Sequence, residues 1–149
     1  MSTTATQPQP ANPVLAHQDL IVRELLAGLP GVPGVLAIYA FGSRVIGAAG
    51  PDSDLDLAVL VGGYADPLRL WDLANGLAGQ VGCPVELIDF RAASTVMQHQ
   101  VLTTGLRLWS SGLDADLYEC FVLNEMHAFN AARAGLLLDI AKTGRIYGS

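Results

Sequence analysis

Apolar positions along the chain follow two periods. Val14, Leu15, Ile21, Leu25 and Leu26 recur at near-helical spacing from Pro13 to Gly28, which predicts a first helix, and the GLPGVPG stretch that follows breaks it. VLAIYAF at 35–41 and LDLAVLV at 55–61 are short, continuous apolar runs and predict buried strands. Between Pro67 and Val81, Leu68, Leu70, Trp71, Leu73, Leu77 and Val81 return to helical spacing, and PVELIDF then reads as a third strand. A helix over about 92–103, a brief apolar segment LRLW and a long helix from about Asp114 to Thr143, stopped at Gly144, complete the pattern. Alternating strands and helices predict an α/β (α+β) fold.

The long last helix carries Leu117, Phe121, Leu123, Met126, Phe129, Leu136, Leu137, Leu138 and Ile140, a wider apolar surface than one face of a small domain needs. Core packing is the expectation, with a partner surface as the alternative. Trp71 and Trp109 fall within apolar patterns and are expected in the core, and Tyr64 in its glycine-bounded loop is a weaker candidate for packing near a ligand. Residues 1–13, rich in Thr, Gln, Pro and Ala, read as a flexible tail ahead of one domain over 14–149.

Composition narrows the function. With 51% apolar and 15% charged residues the chain is globular rather than disordered in character, and 149 residues bury roughly two-thirds of their unfolded surface in one core. The net charge of −6 and the scattered Lys and Arg argue against nucleic acid as a primary ligand. Cys83 and Cys120 have neither disulfide density nor zinc spacing and are expected reduced and buried. His17, His99 and His127 are too scattered for a metal site or a hydrolase triad. No signal peptide and no membrane-spanning run is evident, so the cytoplasm is the expected location.

The chemistry concentrates in FGSRVIGAAGPDSDLDLAVLV. One strand ends in Gly42-Ser43, and ten residues later a second opens with Asp54-Leu55-Asp56. Residues two apart on a strand share a face, so Asp54 and Asp56 can grip one cation or bridge two, a pattern suited to Mg²⁺. Gly42 would let phosphate oxygens approach the backbone, and the Ser43 hydroxyl would hydrogen-bond them. Arg44 either meets a phosphate, caps the local helix or faces solvent; Gly47 would relieve crowding in the loop, and Ser53 would orient the turn into the Asp54 strand.

The pattern GSx10DxD, followed by a strand with a further carboxylate, resembles the polymerase-β-type nucleotidyltransferase superfamily. More narrowly, G-S-R-x-x-G with S-D-x-D-L close behind is similar to the minimal nucleotidyltransferases (MNT), antitoxins found beside HEPN ribonuclease toxins; the likeness covers about residues 20–149. The resemblance implies a polymerase-β-like core, a small mixed sheet flanked by helices with a long C-terminal helix. It also implies a third acidic ligand on the VELIDF strand. Glu86 and Asp89, three residues apart, lie on opposite strand faces; Glu86 aligns with the first acid of the family's V-D-x-x-D and is preferred, although Glu replaces the usual Asp. Asp54, Asp56 and Glu86 are thus the expected catalytic and metal residues, with Gly42, Ser43, Arg44 and Ser53 around the nucleotide.

What the family implies for function is an enzyme using two Mg²⁺ ions and ATP to transfer AMP to a tyrosine of a HEPN toxin partner, with no membrane role. An antitoxin acting by binding alone, with a weak or vestigial nucleotide site, is one alternative; the intact DxD speaks against it and Glu86 for it. A small-molecule (antibiotic) nucleotidyltransferase is another, opposed by the lack of an added substrate domain.

Overall fold

In the computed structural model the described residues are 13–31, 34–47, 49, 50 and 53–147, with side chains described as far as Leu138. Of the tail expected over 1–13, residues 1–12 lie outside them and Pro13 opens the first helix. The first helical pattern is divided at His17 into α1 (Pro13–Ala16) and α2 (Gln18–Gly28). Then follow β1 (Val35–Phe41), α3 (Ser43–Ile46), β2 (Leu55–Val61), α4 (Pro67–Val81), β3 (Val85–Asp89), α5 (Thr95–Thr104), β4 (Leu106–Ser110) and α6 (Leu113–Tyr147).

The strands form one mixed sheet in the order β3-β2-β1-β4. β1 runs antiparallel to β2 and β4, while β2 and β3, joined through α4, are parallel, as a strand–helix–strand crossover requires. The central strand β1 is buried along its whole length, which is why it reads as an uninterrupted apolar run. On one face, Ile21 and Leu25 of α2 and Leu70, Ala74 and Leu77 of α4 pack on Ile38, Leu57 and Val59. On the other, Val101 of α5 and Ala115 and Val122 of α6 cover Tyr39, Ala58, Leu60 and Phe90.

Local chemistry sets the helix ends. Asp66 caps α4 by accepting from the Leu68 N–H at 3.1 Å, Pro67 occupies its first turn, and Gly82 closes it with φ +82°. Helix α5 starts at Thr95, three residues later than the pattern suggested. Ser94 caps it through the Met97 N–H at 3.1 Å, and residues 89–93 are spent on two tight turns.

Three burial expectations are corrected. Trp71 is 67% exposed, because the buried stripe of α4 runs through Leu70, Ala74, Leu77 and Val81 and Trp71 lies about 100° round the helix from it. Trp109 does pack against the first core, half-buried. Cys120 is exposed on α6; Cys83 is half-buried against the first core, and both are free thiols.

The third correction concerns α6. Among the residues of this helix whose side chains are described, only Ala115 and Val122 are fully buried, and from Leu123 to Leu138 every side chain is exposed except half-buried Met126. A helix of 35 residues is about 52 Å long, more than strands of five to seven residues can cover. Phe129, Leu136, Leu137 and Leu138 are left 49–62% exposed, so this length of the helix is not packed into the core.

Candidate active site

The site is built where β1 ends and β2 and β3 begin. Leu55 and Leu57 point into the first core, so Asp54 and Asp56 project from the opposite face of β2. In the parallel register Asp56 stands beside Glu86, whose neighbours Val85 and Leu87 also turn to the first core. Carboxylate oxygens of Asp54, Asp56 and Glu86 all lie within 4.8 Å of one another, and among the described residues this is the one such cluster; no histidine or cysteine joins it.

Three carboxylates this close repel one another. Asp54 and Glu86 are exposed, whereas Asp56 is half-buried, and its carboxyl is pushed up to about 6, by burial first and then by the charges of Glu86 and Asp54. A divalent cation between them would remove that cost, so the donor set fits a hard, oxygen-seeking ion such as Mg²⁺.

Gly42 meets this cluster directly. The residue sits at φ +84°, a conformation side chains rarely adopt, and a β-carbon there would collide with Oδ2 of Asp56. The glycine is therefore required twice, for backbone sign and for space. Its carbonyl accepts from the Val45 and Ile46 N–H groups at 3.0 and 3.2 Å, closing the single turn of α3, with half-buried Ser43 at its start.

Arg44 donates from Nε and Nη2 to the Ser53 carbonyl at 3.0 and 2.7 Å, and the Ser53 hydroxyl accepts from the Gly50 N–H at 2.9 Å. The guanidinium thus ties α3 to the residue before Asp54. Gly47 relieves no crowding, since a β-carbon would meet nothing within 4 Å; it serves the left-handed φ of +81° that ends α3.

Asp89 is set apart. It lies on the opposite face of β3, where Oδ2 accepts from the Ala65 N–H at 2.8 Å and Oδ1 from the Arg91 N–H at 3.0 Å, fixing the entry to α4 and the turn after β3. The geometry groups Glu86, not Asp89, with the Asp54/Asp56 pair. Sequence reasoning took a local helix at Arg44 without giving its bounds, and it missed the contact between Gly42 and Asp56, which carries no sequence signal. It also missed a groove of about 930 Å³ that adjoins the cluster through Glu86 and is lined by exposed Tyr64 and Trp71.

Comparison with known proteins agrees with this geometry. The family model for the polymerase beta nucleotidyltransferase domain matches residues 24–112. The chain is 35% identical over 109 residues to the protein adenylyltransferase MntA of Shewanella oneidensis, covering 73% of this chain and 78% of MntA. It superposes on one chain of a toxin–antitoxin crystal structure with AMP-PNP (TM-score 0.70, 32% identity, 83% of this chain and 98% of that one). It also superposes on one chain of a tri-AMPylated S. oneidensis HEPN toxin in complex with its MNT antitoxin (TM-score 0.67, 30% identity, 85% of this chain and 98% of that one). The chain belongs to the polymerase beta nucleotidyltransferase family, among its minimal, MntA-like members.

Proposed function

We propose that this protein is a Mg²⁺-dependent protein adenylyltransferase of the cytoplasm, the antitoxin of a HEPN/MNT pair, which transfers AMP from ATP to a tyrosine of its HEPN toxin. The observation that carries the reading is the convergence of Asp54, Asp56 and Glu86 within 4.8 Å beside Gly42. The name of the relative MntA and the AMPylated toxin bound to its antitoxin support the acceptor class. The exposed apolar length of α6 supports a protein partner, and among the described residues no helix is long and apolar enough to cross a membrane.

In this reading Asp54, Asp56 and Glu86 hold the metal, and Gly42 leaves the space in which phosphate oxygens approach the backbone. The Ser43 hydroxyl donates to a phosphate, while Arg44 and Ser53 act through the loop they brace. Two bound Mg²⁺ ions supply neutralisation of the triphosphate and acidification of the acceptor hydroxyl. The tyrosine oxygen forms a bond to the α-phosphorus and the bond from that phosphorus to the bridging oxygen breaks. Pyrophosphate leaves with the electron pair, and the phenolic proton is taken by Glu86 and passed to solvent.

The test is incubation with labelled ATP, Mg²⁺ and the HEPN protein encoded beside this gene, with an Asp54→Ala/Asp56→Ala control, read by intact mass. AMP units on the partner, absent in the control, are the expected result. A stable complex with no mass gain would overturn transfer and leave inhibition by binding, the second reading that the apolar α6 surface favours.

A further inference from the structure

Among the described residues the sheet ends at β3, and its open edge forms the floor of the 930 Å³ groove, with Tyr64, Trp71 and Ala74 on one side and Ala93 and Met97 on the other. The phase of the β2–β3 ladder is set by its ends: the Leu55 N–H donates to the Pro84 carbonyl at 2.8 Å and the Phe90 N–H to the Val59 carbonyl at 2.8 Å. In a parallel ladder alternate residues bond one neighbour, so Glu86 and Ile88 serve β2 while the backbone groups of Val85 and Leu87 and the Asp89 N–H turn outward into the groove, the Asp89 carbonyl being taken by the Ala92 N–H at 3.2 Å. Trp71 and Tyr64 stand 67% and 73% exposed above that edge.

The groove is also placed for one substrate and not the other. In the sheet order, Asp56 lies between Gly42, which follows β1, and Glu86 on β3. A triphosphate on the Gly42–Ser43 side leaves the Glu86 side for the attacking oxygen, as in-line displacement demands. Glu86 closes one end of the groove, and exposed Asp66 and Asp72 adjoin its lining residues, while Arg69 between them donates to the Gly28 carbonyl at 2.8 Å. This anionic setting opposes phosphate and suits a polypeptide with basic side chains.

Resting on the adenylyltransferase reading above, we propose that the β3-edge groove binds the acceptor segment of the protein substrate. An extended strand with Lys or Arg beside the acceptor hydroxyl pairs with Val85, Leu87 and the Asp89 N–H, packs on Trp71 and Tyr64, and delivers the hydroxyl to Glu86. Adding a strand to an exposed edge is a recurrent mode of peptide recognition, with affinity from main-chain bonds and selectivity from flanking side chains.

The test uses the full chain, MgATP and the HEPN protein encoded beside it. Trp71→Ala and Tyr64→Ala are surface changes that should leave melting unaltered, raise KM for the partner about tenfold, and leave kcat and the Kd for MgATP within about twofold. In a Trp109→Phe background, Trp71 emission should shift to the blue on partner addition, and the Leu87 amide should gain protection from hydrogen exchange. Unchanged partner KM with no blue shift and no protection overturns the proposal. A weakened MgATP Kd with unchanged partner KM would also overturn it and assign the groove to the nucleotide. The fluorescence and exchange measurements need no turnover, so they decide on the groove even where wild-type protein transfers no AMP, a result that would sink the adenylyltransferase reading instead.

Discussion

The α-carbon of Gly42 stands so close to Oδ2 of Asp56 that no side chain fits between them. The first turn of the signature and its second carboxylate are thus one packed unit, and the spacing between them is that of the loop braced by Arg44 and Ser53. Gly42→Ala should cost about 1–3 kcal/mol for holding φ +84°, ψ −163°, a region essentially confined to glycine, and also push Asp56 out of line with Glu86. Displacement of a positioned group by about 1 Å can cost about 100-fold in rate, so transfer should fall at least that far. Gly47→Ala meets the left-handed penalty of about 1–2 kcal/mol but has open space; melting should drop while transfer survives. Equal losses of transfer in both variants would contradict the assignment.

Asp56 also predicts a pH dependence. Its folded-state value of about 6 lies above the ordinary 3.8, so the native protein holds the proton more tightly than the unfolded chain. That stabilisation is fully present below about pH 3.8 and is lost as pH rises through about 6. In EDTA, Asp56→Asn should therefore be more stable than wild type at pH 7.5, by about 1–2 kcal/mol after discounting for solvent screening of a partly exposed group. The difference should close at acid pH. Mg²⁺ should raise the melting temperature of wild type and not of the variant; a stability advantage of Asp56→Asn over wild type that is no larger at pH 7.5 than at pH 4 would refute the electrostatic account.

Glu86 and Asp89 should separate cleanly by experiment. Asp89 accepts two backbone N–H groups, and Asp89→Ala strands both, at about 1–3 kcal/mol each if fully desolvated and nearer the lower figure here. The loss should show in chemical denaturation, with AMP transfer per folded molecule retained. Glu86→Gln removes an exposed charge from the cluster, so stability should hold or rise while transfer collapses. The reverse pattern would exchange their roles.

Beneath the second core runs a polar pair that joins the sheet to α6. The Tyr39 hydroxyl, on a residue 2% exposed, donates to Glu119 at 2.5 Å, and Glu119 also accepts from Arg107 at 3.1 Å. Burial and the Glu119 carboxylate hold the phenol far above the ordinary tyrosine range, so it stays protonated at any working pH. Tyr39→Phe leaves Glu119 with Arg107 and should cost about 1 kcal/mol, whereas Glu119→Ala leaves a buried hydroxyl without its acceptor and should cost up to about 3 kcal/mol. A double-mutant cycle read by denaturant melts checks the asymmetry, and equal single-variant costs would count against it.

Much of the fold was legible because its elements carry local signals. The runs VLAIYAF and LDLAVLV match β1 and β2 to the residue, since strands buried on both faces read as nearly unbroken apolar runs, interrupted in β2 only by half-buried Asp56. Helix α4 matches as well, with Asp66, Pro67 and Gly82 marking its ends. Strand parity separated Glu86 from Asp89, but the partnership of Glu86 with Asp56 depends on the β2–β3 register, which is tertiary. Exposure was the least legible property. Trp71 shares helical spacing with its buried neighbours yet lies off their stripe, and nothing local says where a four-stranded sheet ceases to cover α6.

That uncovered length makes the last prediction. Isolated helices gain little from propensity alone and are held by packing of an apolar face, so the part of α6 beyond the sheet should be the less protected part. In the free protein, amides over 126–138 should exchange at least about tenfold faster than those over 113–122, where Ala115 and Val122 are buried. On addition of the HEPN protein the distal amides should slow. Leu136→Ser with Leu137→Ser and Leu138→Ser should leave the sheet's melting transition in place, because none of the three is buried, while weakening the complex at least about 30-fold, about 2 kcal/mol. Retention of full affinity by the triple variant, with distal exchange unchanged by the partner, would remove α6 from the interface and leave its exposed leucines without an occupant.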